Sequence, residues 1–261
     1  MDIGISTAIF YPEMVTEDAV ALLGQHGFET LEVFANSFQE FTKDYGARLK
    51  EVAHDHNTKV RSIHTVSSAF EPYLFDGYER RREDFFKIYK DFLDFGHILG
   101  AKVYTFHGLI KKPHPSMSFQ DVVYIYEKMV YEAGLRDMVL AQENVSWCLS
   151  GNLQYLQRLK EAVKGPLKYT LDVKQAVKAG KSPEDYLAIY GEDLMNLHLN
   201  DHDDLSTCLL PGQGHFDFKT LKRQVEDLGY EGPGIIEVYR ENYDTVEDLK
   251  KSKEVLERIL S

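Results

Sequence analysis

The sequence predicts an α/β fold, a single (β/α)8 TIM barrel spanning residues 1–261, and three observations carry that expectation. Eight short β-rich runs alternate with segments of helical period, each strand candidate is followed by a helix, and no Gly/Ser/Pro linker or shift of composition divides the chain. Parallel strands need helical crossovers, and eight of them close into a cylinder without edges in about 250 residues. An open doubly wound sheet is the alternative. It carries a glycine-rich phosphate turn after its first strand, and the stretch from Ser6 to Pro12 offers none.

Taken in order, a strand over Ile3–Thr7 leads to a helix over Thr16–His26, with Glu17 and Asp18 in the first turn, where acids meet the positive end of the helix dipole. Gly27 ends it, as a left-handed residue after a helix should. A strand over Thr30–Phe34 and a helix over Gly46–Asn57 follow, then a strand over Val60–His64. The longest helix, Glu79–Leu99, opens on a charged run that reads as its solvent face. It buries Phe85, Ile88, Phe92 and Phe95 at helical spacing and stops at Gly100. Next come Val103–His107 with Phe119–Glu132, which stops before Gly134, and Val139–Asn144 with Leu153–Val163. Lys168–Val173 precedes Pro183–Tyr190, whose Ser182 cap and N1 proline are start signals. Met195–Asp201 with Phe218–Leu228, stopped by Gly229, and Ile235–Tyr239 with Thr245–Leu260 complete the eight units.

Composition excludes several functions. The balance of 30 Lys+Arg against 42 Asp+Glu gives a net charge of −12, which works against binding nucleic acid through its phosphates. The N-terminal run MDIGISTAIFYPE has no basic segment and no long apolar stretch, so secretion and membrane insertion are not expected. Two cysteines, Cys148 and Cys208, make neither a disulfide framework nor a thiolate zinc site, and a cytoplasmic location is the expectation.

Alternate strand residues point to opposite faces. One set is apolar throughout, including Leu31, Val33, Ile63, Tyr104, Phe106, Leu140, Leu171, Val173, Leu197, Leu199, Ile236 and Val238, and should face the helices. The other ends, strand by strand, in Ser6, Glu32, His64, His107, Glu143, Asp172, His198 and Glu237, which would ring the mouth at the C-terminal ends of the strands. Carboxylates converging on one mouth need a cation, a shared proton or basic partners, and Lys/Arg is scarce on this face. One divalent metal held by Glu143, Asp172, His198 and Glu237 is the economical answer. Three oxygens and one imidazole suit Mn2+ first, with Mg2+, Co2+ or Zn2+ as alternatives. The ends of strands five and eight lie roughly 135° apart around a barrel, so Glu143 and Glu237 would flank a substrate as acid and base. His64, His107, Gln175 and Glu32 are candidates to contact substrate oxygens, and Trp147 and Phe70 to wall the pocket.

The segments Ala141–Asn144, Thr170–Asp172, Leu197–Asp201, Pro211–Phe218 and Ile235–Val238 carry a resemblance. Over essentially its whole length the chain resembles the xylose isomerase-like barrel superfamily, in the sugar phosphate isomerase/epimerase branch. That resemblance implies one divalent metal on Glu143, Asp172, His198 and Glu237, and isomerisation or epimerisation of a small sugar through a metal-stabilised enediolate, with Glu143 and Glu237 as the acid/base pair. Three positions depart from the family pattern. Gln175 stands where a histidine is usual, Leu149 where a glutamate is and Asp204 where an arginine is, which points to different substrate contacts. A dehydratase or aldol-type lyase would use related chemistry.

Two other readings compete. Apurinic endonucleases of the same superfamily carry a zinc cluster, for which His64, His107, His202 and His215 are further candidates; Gln175 and the acidic charge weigh against it. A non-catalytic metabolite-binding barrel is the third. The expected partner is a small sugar or polyol, with neither membrane nor nucleic acid, and a homo-oligomer is left open. The Pro211–Phe218 loop is expected to close over the mouth, and Lys111–Pro115 reads as a solvated loop rather than an anion site.

Overall fold

In the computed structural model, which describes residues 1–65, 67–111 and 117–260, eight parallel strands pair in chain order and close with β8 against β1. The strands are β1 (Ile3–Ser6), β2 (Thr30–Ala35), β3 (Lys59–Thr65), β4 (Val103–Phe106), β5 (Val139–Glu143), β6 (Lys168–Asp172), β7 (Leu194–Leu199) and β8 (Gly234–Ile236). Around them run α1 (Thr16–Gln25), α2 (Lys43–Asp55), α3 (Ser67–Phe70), α4 (Glu79–Leu99), α5 (Phe119–Gly134), α6 (Leu153–Ala162), α7 (Val173–Lys178), α8 (Pro183–Tyr190), α9 (Phe218–Asp227) and α10 (Val246–Leu260). Most of the lysine loop after β4, from residue 112 on, lies outside the described residues.

Closure depends on small residues where β8, β1 and β2 meet. A Cβ on Gly4 would stand 2.5 Å from the Thr30 carbonyl oxygen and 2.8 Å from Ile235 Cδ1, and one on Gly234 would stand 2.5 Å from Leu199 Cδ1. Most of the outward strand residues pack under the helices as their apolar character predicts, and the Tyr104 ring, for example, lies against Tyr89 and Phe92 of α4; Val238, expected among them, lies beyond the end of β8 and lines the cavity at the mouth instead. Among the described residues no helix is long and apolar enough to cross a membrane.

Several boundaries differ from expectation for local reasons. β6 stops at Asp172 because the Asp172 side chain accepts from Gln175 N at 2.9 Å and caps α7. Val173 is therefore the first residue of a helix rather than the last of a strand. β8 ends at Ile236, although Glu237 N still donates to Leu199 O, so Glu237, Val238 and Tyr239 form the wall beyond the strand. Ser118 and Ser182 each build a reciprocal capping box with the Asp three residues on. At the end of α5, Gly134 is still helical and Asp137 takes the left-handed conformation at φ 60°.

Candidate functional site

Strands β5 to β8 bring Glu143, Asp172, His198 and Glu237 to one point. One ligating atom from each lies within 4.8 Å of the others, and the first three residues are wholly buried. Asp172 is held by its neighbours. Its backbone N and O are bracketed by the Asn144 amide at 2.7 and 2.9 Å, and its Oδ1 accepts from Gln175 N and Asn200 Nδ2. That leaves Oδ2 directed at the cluster. Glu143 Oε2, Asp172 Oδ2 and His198 Nδ1 are buried without a hydrogen bond to any described residue. Leaving such atoms unsatisfied is costly, so the donor set fits a divalent cation. The electrostatics agree. Burial opposes charge on Glu143, yet His107, His198 and His64 hold its carboxyl well below the usual range. His198 and Lys174 do the same for Glu237, again against burial. Against burial, Glu237 and Glu32 carry the His198 imidazole well above its ordinary value.

Beneath the cluster the barrel interior is polar. Glu32 Oε1 lies 3.0 Å from His198 Nε2, and Oε2 accepts from Ser62, Thr105 and Asn196. This is the carboxylate–imidazole pairing that orients a metal-binding histidine with its other nitrogen toward the ion. Glu32 is fully buried and does not line the cavity, so its expected place among the substrate contacts gives way to one behind His198. β2 presents Phe34 at the mouth instead, its ring stacked 4.9 Å from that of His64. The histidine pair stands beside Glu143. The Thr65 carbonyl, 3.1 Å from His64 Nδ1, fixes a proton there and turns Nε2 inward, 2.8 Å from His107 Nε2. His107 Nε2 is in turn 2.9 Å from Glu143 Oε2, and His64, His107 and Glu143 make a second group able to hold an ion.

A cavity of about 280 Å³ opens over these residues, lined by Tyr11, Phe34, Trp147, Gln175, Val238 and Tyr239 among others. Trp147 is on its wall, but Phe70 is not; Phe70 is fully buried against Phe85 in the shell of helices. Gln175 Oε1 accepts from both Ser146 N and Ser146 Oγ, which turns its NH2 group to the pocket. A cavity of about 350 Å³ near the start of β7 is lined by Arg61, Glu192 and Tyr230 and gathers no comparable cluster among the described residues.

The loop after β7, expected over the mouth, contributes no residue to the lining of this cavity. Asp201 Oδ1 accepts from His202 N and Phe216 N, and Oδ2 from Gly212 N and Gly214 N, so one carboxylate gathers the segment onto itself. Pro211 O then accepts from Ser252 of α10. Sequence reasoning also missed three supports. Glu71 accepts from Tyr104 OH, His107 N and Gly108 N and pins the end of β4. Gln142 donates to Phe106 O, His107 O and Glu143 O, tying β4 to β5. The third is Lys174. It was passed over because the face was read as poor in cations, and its Nζ lies 3.3 Å from Asp172 Oδ2 and 3.2 Å from Glu237 Oε2, with the side chain 4% exposed. Burial disfavours that ammonium, and Asp172 and Glu237 more than offset it. The signal was present in the sequence, two residues after the capping Asp172, once a helix rather than a strand is assigned there.

The fold and site together define a TIM barrel with a carboxylate–imidazole cluster, able to hold a metal, at the C-terminal ends of its strands. The chain belongs to the xylose isomerase-like TIM barrel family, whose profile matches residues 20–259. Solved structures superpose over its whole length. A D-tagatose 3-epimerase-like protein gives a TM-score of 0.82 at 19% identity, covering 100% of this chain and 97% of that one. D-psicose 3-epimerase from Clostridium cellulolyticum H10 gives 0.81 at 15% identity, with both chains covered in full. The IOLI protein, solved with a zinc atom, gives 0.81 at 17% identity, again with full coverage of both chains. No curated protein matches the sequence. At these identities the likeness is one of fold.

Proposed function

We propose that this protein is a divalent-metal-dependent isomerase or epimerase of a small sugar or related polyhydroxy carbonyl compound. The observation that carries the reading is the convergence of Glu143, Asp172, His198 and Glu237, three of them with buried atoms that lack a hydrogen bond. A bound divalent ion, Mn2+ by preference for this donor set, would supply Lewis acidity at a substrate carbonyl oxygen. The remaining work falls to the chain. One of the two glutamates takes the proton from the carbon beside the carbonyl, the electron pair moves to the carbonyl oxygen to give an enediolate, and the other returns a proton to the carbon. His64, His107 and the Gln175 NH2 group face the cavity to hold hydroxyls, and Trp147 offers a ring face to C–H surfaces. Among the described residues lining the cavity, Lys174 is the one Lys or Arg, and it is already held by two carboxylates. That favours an unphosphorylated substrate.

The test joins metal content with isotope exchange. Protein purified without chelators should carry one equivalent of a divalent metal, lost in Glu237→Gln. In D2O the loaded protein should wash deuterium into the carbon next to the carbonyl of at least one ketose or inosose, with phosphorylated counterparts inert. Metal without exchange across the panel would remove the isomerase reading. The His64, His107 and Glu143 group favours a second reading, a hydrolase of the apurinic-endonuclease kind with more than one metal. Two or three equivalents of zinc together with cleavage of an abasic duplex would move that reading forward. A protein that binds sugars but takes up no metal would be a binding barrel.

A further inference from the structure

Lys174 is the feature of this site that the mechanism above does not use. It lies in the first turn of α7, two residues after Asp172, and its stem runs back so that the ammonium lies between the Asp172 and Glu237 carboxylates. The contact to Glu237 Oε2 is a hydrogen bond at 3.2 Å; Asp172 Oδ2 is reached at 3.3 Å as an ion pair without hydrogen-bond alignment. Both residues belong to the cluster suited to a divalent ion, and these same two atoms lie 3.8 and 3.2 Å from His198 Nδ1. A unit charge fixed within a few ångströms of a dication in a buried site opposes it strongly, because little water screens the pair. From the same position its Nζ also lies 4.8 Å from the centroid of the Tyr239 ring, on the pocket wall, a ring that Lys178 Nζ approaches at 4.7 Å, and a ring face is attractive to a cation.

Resting on the metal-centre reading above, we propose that Lys174 is a tethered cation that competes with the divalent metal for Asp172 and Glu237. Metal entry drives the ammonium off the two carboxylates and leaves the Tyr239 ring, which it already touches, as its remaining contact. Three consequences follow. The free protein is stabilised by its own counter-ion, so its carboxylates remain together without metal. Metal affinity is set by a difference between two cations rather than by the ligands alone, which makes the ion exchangeable. In the loaded form the displaced ammonium stands beside the substrate with N–H donors for a hydroxyl or carbonyl oxygen.

Calorimetric titration of metal-free protein with Mn2+ tests this, using wild type, Lys174→Met, Lys174→Arg and Tyr239→Leu. Lys174→Met should bind Mn2+ at least tenfold more tightly, and Lys174→Arg should keep the weaker wild-type affinity. Tyr239→Leu should weaken binding in the wild-type background and have no effect in Lys174→Met. The melting temperature supplies a check on folding: Lys174→Met should melt lower without metal and gain more from Mn2+ than wild type does. If Lys174→Met fails to fold, Lys174→Gln takes its place. Equal or weaker Mn2+ binding by a folded neutral variant overturns the proposal and leaves the metal centre standing. No uptake of Mn2+, Co2+ or Zn2+ by either protein overturns both.

Discussion

A histidine ligand works only if the nitrogen facing the ion is free of its proton, and here that depends on a residue outside the cavity. Glu32 Oε1, 3.0 Å from His198 Nε2, holds the proton on the far side of the ring and leaves Nδ1 for a cation. Glu32→Gln would present an NH2 group to that nitrogen, favour the opposite tautomer and place a proton where the metal should bind. Metal affinity should fall by about 10- to 100-fold, read by competition with a chelating dye. Asp172, Glu143, His198 and Glu237 were legible in the sequence because each closes an alternating strand pattern on a polar residue. The role of Glu32 was not, because alternation gives the face of a strand and not the depth. Glu32 shares that face with Phe34, one step nearer the mouth, and only the register tells them apart.

At the scale of elements, the helices were the most legible parts, since their apolar periodicity and caps are local. Glu79–Leu99 and Pro183–Tyr190 match their expected limits residue for residue. Ser182→Ala removes one partner of a capping box and should cost about 1 kcal/mol in denaturant unfolding. Loops were read less well, because their hydrogen bonds come from single side chains with no periodic signature. The segment after β7 is the clearest case, with four amides converging on Asp201. Asp201→Ala should strand these donors, lower stability by about 2–4 kcal/mol and open the loop to limited proteolysis before the barrel unfolds. Wild type should remain uncut under the same conditions.

Over the whole molecule, closure was predictable from the count of βα units, while the seam was not. Gly4 and Gly234 read as ordinary strand glycines until the neighbouring strands are seen to occupy the space of a Cβ. Gly4→Ala should destabilise by about 1–3 kcal/mol, measured as a lowered denaturant midpoint with an unchanged slope. Away from the site, Asp193 contributes to the acid limit of the fold. Asp193 lies 2.7 Å from Lys168 and 3.0 Å from Lys160, joining β6, α6 and the approach to β7. Burial works against its charge, and the two lysines outweigh it and hold the carboxyl below its usual range. The group is about a third exposed, so its share is modest. A depressed carboxyl adds stability that is present above its unfolded value and is lost as pH falls through the folded one. Asp193→Asn should therefore flatten the loss of stability below about pH 4 compared with wild type, and equal slopes would count against the assignment.

The Asp201 clamp bears on how such a barrel diverges. The carboxylate grips main-chain amides and demands the absence of a side chain at two of them: Gly212 sits at φ 94° with a Cβ position 2.9 Å from Val255 Cγ1, and at Gly214 a Cβ would stand 2.4 Å from Asp201 Oδ1. Gln213 and His215, exposed on either side, are free to vary in size and charge without altering the path of the backbone. The rim of the barrel thus has a segment where shape and chemistry are inherited separately, and new surface properties can be sampled there at little risk to the fold.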